Sequence, residues 1–228
     1  MKRILLSLLS AGVAFAQQPV PPAGPLLKRA PDFSSWIVTF SVSRTPGTEP
    51  DPAAGELPPL RKIQVVKTGD IRHAVLVDAE GRRTEMWAAP GIQAFLRPDW
   101  KEPLLTDGVN AFDALFVNFS TSDFPGFEWI SPRNFRGVEK AGNRECLVFQ
   151  DKVAHADATT GEAAPMQMAF VDLSTRLPVK LDNGGEIANY RFENPPTARL
   201  IVPPDVVSAI EARAARIRET ARRPARPF

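Results

Sequence analysis

Residues 169–192, AFVDLSTRLPVKLDNGGEIANYRF, leave little choice of local structure: strand, turn, strand, turn, strand. The run Asp182-Asn183-Gly184-Gly185 is a strong hairpin signal, because tight turns need the positive φ that glycine and asparagine adopt at little cost. Asp172 to Arg176 forms the other turn. Both aspartates read as turn chemistry, with the carboxylate accepting hydrogen bonds from backbone N–H groups just downstream. Leu177, Val179, Leu181 and Ile187 make the packed face, and Pro178 marks an edge or a bulge.

The same grammar runs through most of the chain. In SSWIVTFSVS, Trp36, Val38, Phe40 and Val42 alternate with Ser35, Thr39, Ser41 and Ser43, giving one dry face and one wet face. RKIQVVK and RHAVLVD follow, parted by Thr68-Gly69-Asp70. Asp78 to Gly81 then leads into RRTEMWAA, and Pro90-Gly91 into IQAFLRPD. FRGVEKAGNRECLVFQDK turns at Lys140 to Asn143. Strands at this short, regular spacing predict a mainly β (α+β) fold: a curved antiparallel sheet forming an open or half-closed β-barrel. A helix/loop lid or plug and a C-terminal helix complete it.

The N-terminus, MKRILLSLLSAGVAFAQQ, has two cations, a short apolar run and the small-residue site Ala14-Phe15-Ala16. This reads as a secretory signal, too short to span a bilayer, with cleavage between Ala16 and Gln17. No cysteine stands at that point to carry a lipid. The expected organisation is a signal peptide at 1–16, a Pro-rich flexible leader at 17–32 and a barrel-like domain at 33–204 with a helical insertion around 107–130. A C-terminal amphipathic helix and Arg-Pro tail at 205–228 follow. About 210 residues remain after cleavage, enough for one domain with a sizeable core. The mature chain is expected to be periplasmic or secreted, and a monomer. RTPGTEPDPAAGELPPL, at 44–60, is too proline-rich for strand or helix and is read as a disordered loop.

The middle of the chain breaks the period-2 pattern. DGVNAFDALFVNF places Val109, Phe112, Leu115, Phe116 and Phe119 at helical spacing after a cap at Asp107 or Asn110. STSDFPGFEWISPRNF adds aromatics without a period. This segment is either a core plug or a lid over an apolar cavity, and Trp87, Phe95, Trp100, Phe112 and Phe116 are the candidate lining. In the C-terminal helix, Val206, Val207, Ile210, Ala214 and Ile217 form one stripe. Arginines 213, 216, 218, 222, 223 and 226 form a solvated face, whose alternative reading is peripheral contact with anionic lipid headgroups.

Reactive groups are few. Cys146 is the single cysteine, excluding an internal disulfide, and its apolar surroundings in RECLVFQ predict a buried, inert thiol. His73 shares the parity of Ile71, Val75 and Val77 and is expected to be a satisfied, partly buried histidine; His155 lies in a polar loop. No nucleophile elbow, metal-ligand spacing or phosphate-cradling glycine loop is present, so no catalytic residue, metal or cofactor is expected. The formal charge of +2 is carried by the signal, and the near-neutral body argues against nucleic-acid binding.

SSWIVTFSVSR, the hairpins of IRHAVLVDAEGRRTEMWAAPGIQAFLRPD, then GVEKAGNRECLVFQ, MAFVDLSTRLPVKLDN and YRFENPP together resemble the LolA/LolB/RseB-like superfamily of periplasmic proteins. The likeness spans residues 33 to 203. It implies a half-closed antiparallel barrel with helices over the concave side and an apolar cavity. In that family carriers hold lipoprotein acyl chains, and sensor members bind lipid or partner proteins. The proline-rich 44–60 stretch departs from the family pattern, and the carriers' arginine near the first strands aligns with either Arg61 or Arg72. The resemblance implies an exported, non-catalytic protein cradling a lipid or lipoprotein acyl chain. The alternatives are a cell-envelope interaction domain with a filled core and, third, an exported hydrolase.

Overall fold

The computed structural model describes residues 19–42, 59–106, 118–152 and 166–222. Ala16 and Gln17, most of the 44–60 loop, Phe112, Phe116 and His155 lie outside the described residues. The strands are β1 (Phe33–Val42), β2 (Leu60–Thr68), β3 (Ile71–Asp78), β4 (Arg83–Ala89), β5 (Ile92–Leu96) and β6 (Leu104–Thr106). They continue with β7 (Phe135–Ala141), β8 (Arg144–Lys152), β9 (Met166–Asp172), β10 (Pro178–Asp182) and β11 (Glu186–Glu193). Helix α1 (Pro204–Arg222) ends the described chain.

All the strands join one 11-stranded sheet in the order β6-β5-β4-β3-β2-β1-β11-β10-β9-β8-β7. Every neighbouring pair is antiparallel, and every pair is consecutive in sequence except β1 and β11, which meet in the middle. The sheet is curved and not closed, as the alternation predicts. Its edges are β6 and β7. Edge strands invite pairing with other chains, and both are blunted. β6 has three residues, while β7 carries a register shift between Phe135 and Gly137 and the exposed charges Arg136, Glu139 and Lys140.

Because β6 and β7 are adjacent in sequence yet occupy opposite edges, the connection between them must travel from one edge of the sheet to the other. Its described part, 118–134, lies against the apolar face, where Phe119, Phe124 and Phe127 join the core. The helical insertion expected around 107–130 is corrected over 118–130: these residues form successive turns, and one 3₁₀ turn follows at Pro132–Asn134. Pro125 and Gly126 interrupt any helix, and Asn118 and Ser122 side chains accept the N–H groups of Ser120 and Phe124. Gly126 has φ +91°, and a Cβ there would lie 2.8 Å from Leu181 Cδ2, so glycine lets this strap press close to the sheet.

The leader also differs from expectation. Residues 26–30 are fixed to the fold rather than flexible. Leu26 and Leu27 pack on the core, Ala30 is buried, and the Lys28 N–H donates to the Arg176 carbonyl at 2.9 Å.

The 169–192 run folds as two hairpins with the turns where the sequence puts them. Asp172 Oδ1 accepts the N–H groups of Ser174 and Thr175 at 3.0 and 2.8 Å and both their hydroxyls at 2.7 and 3.1 Å. Partial burial raises the carboxyl, but these hydrogen bonds outweigh it and hold the pKa below the ordinary value. Arg176 follows at φ 62°, in the left-handed region. Asp172→Ala is expected to cost about 1 kcal/mol, read as a lower urea midpoint at unchanged slope, with Asp172→Asn retaining part of the loss. Ile187 pairs with Asp182 beside the core pair Leu181–Ala188, so it faces the outer side and not the packed face expected for it.

Candidate functional site

Three cross-strand rows pave the concave face on one side of the sheet. Each is read by stepping from strand to strand through directly paired residues. The middle row is Trp36, Val65, Ala74, Met86 and Phe95, and every one of these is fully buried. On one side lies Val38, Ile63, Leu76 and Thr84. On the other lies Ser34, Lys67, Arg72, Ala88 and Gln93. Rows are two residues apart along each strand, roughly 7 Å.

The strap crosses these rows and is pinned to the polar one. The Phe119 N–H donates to Gln93 Oε1 at 3.0 Å. Asp123 sits over Lys67 and Arg72. Arg72 Nε and Nη2 reach Asp123 Oδ1 at 2.6 and 2.5 Å, and Lys67 Nζ reaches Oδ2 at 3.0 Å. The Ala30 N–H donates to Oδ2 at 3.0 Å, and Lys67 also donates to the Ala30 carbonyl at 2.7 Å. The three side chains are between 1% and 3% exposed. Burial alone would raise the Asp123 carboxyl, but the Lys67 hydrogen bond and the Arg72 charge outweigh it and hold its pKa below the ordinary value.

Above the middle row the strap is aromatic. Phe124 meets Trp36 edge-on with centroids 5.5 Å apart, and Phe119 does so at 6.5 Å. Phe192 and Tyr190 of β11 close around Phe124 at 6.0 and 6.2 Å, and Tyr190 also meets Phe127 at 5.5 Å. Trp36 Nε1 is buried and finds no hydrogen-bond partner among the described residues.

The residues expected to line a cavity separate in space. Phe95 is in the middle row, fully buried. Trp100 is half-buried, packed on the core with the Arg97 guanidinium 5.3 Å from its ring centre. Trp87 is corrected: it points to the outer face. Met86 and Ala88, its neighbours, both face the core, so Trp87 must point the other way. There it stacks on His73 at 4.4 Å. His73 is half-buried as expected but is not satisfied: Nε2 lies 3.5 Å from a Glu85 carboxylate oxygen and makes no hydrogen bond among the described residues. Phe112 and Phe116 fall outside the described residues. Lys67, Arg72 and Asp123, which the cavity reading omitted, form the charged end of the site.

Cys146 is buried, and burial, with the nearby Asp172 charge, pushes its thiol up, the reverse of an activated nucleophile. Among the described residues no group of three His, Cys, Asp or Glu side chains is placed to share a metal ion. Nor is any helix among them long and apolar enough to cross a membrane. In α1 Val206 is fully buried, and Arg213 Nη1 lies 3.4 Å from the Leu105 carbonyl of β6, tying the helix to that edge. A groove of about 300 Å³ on the outer face is lined by Lys62, Gln64, Val75, Val77 and Arg83.

No family model and no curated protein matches the chain. Solved structures similar to it include a LolA superfamily protein from Nitrosomonas europaea, with 13% identity, 76% of this chain and 90% of that one covered, and a TM-score of 0.36. The Mycobacterium tuberculosis lipoprotein LppX matches with 8% identity, 74% and 90% coverage and a TM-score of 0.39. LprF from Mycobacterium bovis gives 10%, 76% and 90%, and 0.33.

Proposed function

We propose that the chain is an exported, non-catalytic binding protein that holds an apolar ligand, such as a lipid or lipoprotein acyl chain, on the concave face of its open sheet. The observation that carries this reading is the strap. A sheet whose two edges are joined by one aromatic segment lying across an apolar concave face has a natural seat for an extended hydrocarbon between strap and sheet. Burying such a chain is favourable by about 0.8 kcal/mol per methylene, so shape and burial suffice and no reactive residue is needed. Residues 1–16 carry the export part of the proposal, and the Arg-rich end of α1 provides the peripheral membrane contact.

A second reading has its own support. Phe119, Phe124 and Phe127 already pack on Trp36, as they would in an envelope interaction domain whose core is filled by its own side chains. Native mass spectrometry of the exported protein after gentle extraction separates the two. A co-purifying acyl-chain mass, displaced by a fluorescent fatty-acid probe, is the expected result. A protein that arrives empty and rejects the probe is the filled-core domain instead.

A further inference from the structure

We infer that Lys67 and Arg72 form an anion seat occupied by the protein's own Asp123, and that the ligand is an amphiphile whose negatively charged head takes Asp123's place. The inference rests on the reading above, that an apolar chain lies on the concave face.

The first observation is where the cations stand. Ile63, Val65 and Lys67 share one parity of β2, and Arg72, Ala74 and Leu76 share one parity of β3, so each dry face ends in a cation. A buried cation is tolerated only against an anion, and here that anion comes from the strap and not from the sheet. The second is the charge balance. Arg29, Lys67 and Arg72 gather around Asp123, with Asp70 reaching only Arg29 at 3.8 Å through its side chain. Three cations therefore meet two carboxylates, a surplus that suits an incoming anion. Carboxylate and phosphate heads present the same acceptor oxygens that the guanidinium fork and the ammonium now share on Asp123.

The third is direction. The seat is the row beside Trp36, Val65, Ala74, Met86 and Phe95, so a chain that starts there and runs along the strands crosses two apolar rows in roughly 14 Å. The strap imitates this layout: Asp123 fills the seat and the next residue, Phe124, lies on Trp36. The Trp36 indole N–H, buried in the row beside the seat and unpartnered among the described residues, is a spare donor for the ligand's head.

The test compares three probes of one chain length on the purified mature protein: a fatty acid, the corresponding alcohol and a lysophosphatidate. The fatty acid or the lysophosphatidate is expected to bind about tenfold tighter than the alcohol, and whichever leads names the head as carboxylate or phosphate. Asp123→Asn, which removes the competing charge while keeping the shape, is expected to tighten the anionic probes about tenfold and leave the alcohol unmoved. Lys67→Met leaves Asp123 matched with Arg72 and is expected to erase the preference for charge; it decides the matter should Asp123→Asn fail to fold. Equal binding of all three probes overturns the anion seat and leaves the apolar-ligand reading standing. Binding of none overturns both.

Discussion

Asp123→Ala is expected to cost about 3–5 kcal/mol and to lower the melting temperature by roughly 10 °C, because it strands two buried cations. Lys67 and Arg72 lose their counter-charge, and the Ala30 N–H loses its acceptor, in one step. The loss is that of an orphaned charge more than that of a contact. Adding Lys67→Met to Asp123→Ala should therefore recover part of it, and a double-mutant cycle measures how much. The pH dependence has a fixed sign. Asp123 titrates below its ordinary value of 3.8 in the folded protein, so its contribution is complete above that value and is lost as pH falls through the lower, folded pKa. Wild type and Asp123→Ala should differ fully near neutrality and converge below about pH 4. A gap that persists at low pH would show that Asp123 acts by packing alone.

Trp36→Ala is the other large effect, about 3–5 kcal/mol in urea or guanidinium unfolding. Trp36 stands in the central strand β1 with no solvent exposure, under Phe119 and Phe124 and beside Phe192. Truncation leaves a hole that the strap cannot easily collapse into, because Asp123 and the Phe119–Gln93 bond pin it to the neighbouring polar row. Trp36→Phe should cost much less than truncation to alanine. Equal losses for both would mean that filling the space under the strap is not what Trp36 contributes.

Alternation was enough to place ten of the eleven strands and their hairpins, since a strand with one dry face writes its period into the chain; β6, three residues long, is too short to show a period. Alternation also bears on Trp87, which the cavity reading took for lining because Met86-Trp87-Ala88 is apolar throughout: Arg83 and Glu85 share its parity and mark that side as wet, and the pairing of Met86 with Ala74 agrees. Asp123 was hidden for another reason. In STSDFPG it looks like any loop aspartate, and its partners are about fifty residues upstream. Only part of that interaction was legible on the sheet: Lys67 shares the dry parity of Ile63 and Val65 in β2, but in β3 the parity of Ile71, Val75 and Val77 looks as apolar as that of Arg72, Ala74 and Leu76. The helical period around Phe112 stops at Phe119, where the side chains of Asn118 and Ser122 offer the backbone turns instead.

The pairing of β1 with β11 has a consequence for assembly. Ser35 lies opposite Glu193, so the centre of the sheet is the last part of it that a growing chain can complete. The hairpins on either side are local and can form early, whereas the seam between the two halves waits for a loop closure spanning nearly the whole domain. Until β11 arrives, β1 and β10 are additional raw edges. The vulnerable moment of this protein's life is the interval before its seam is sewn, when the apolar rows are exposed and unstrapped.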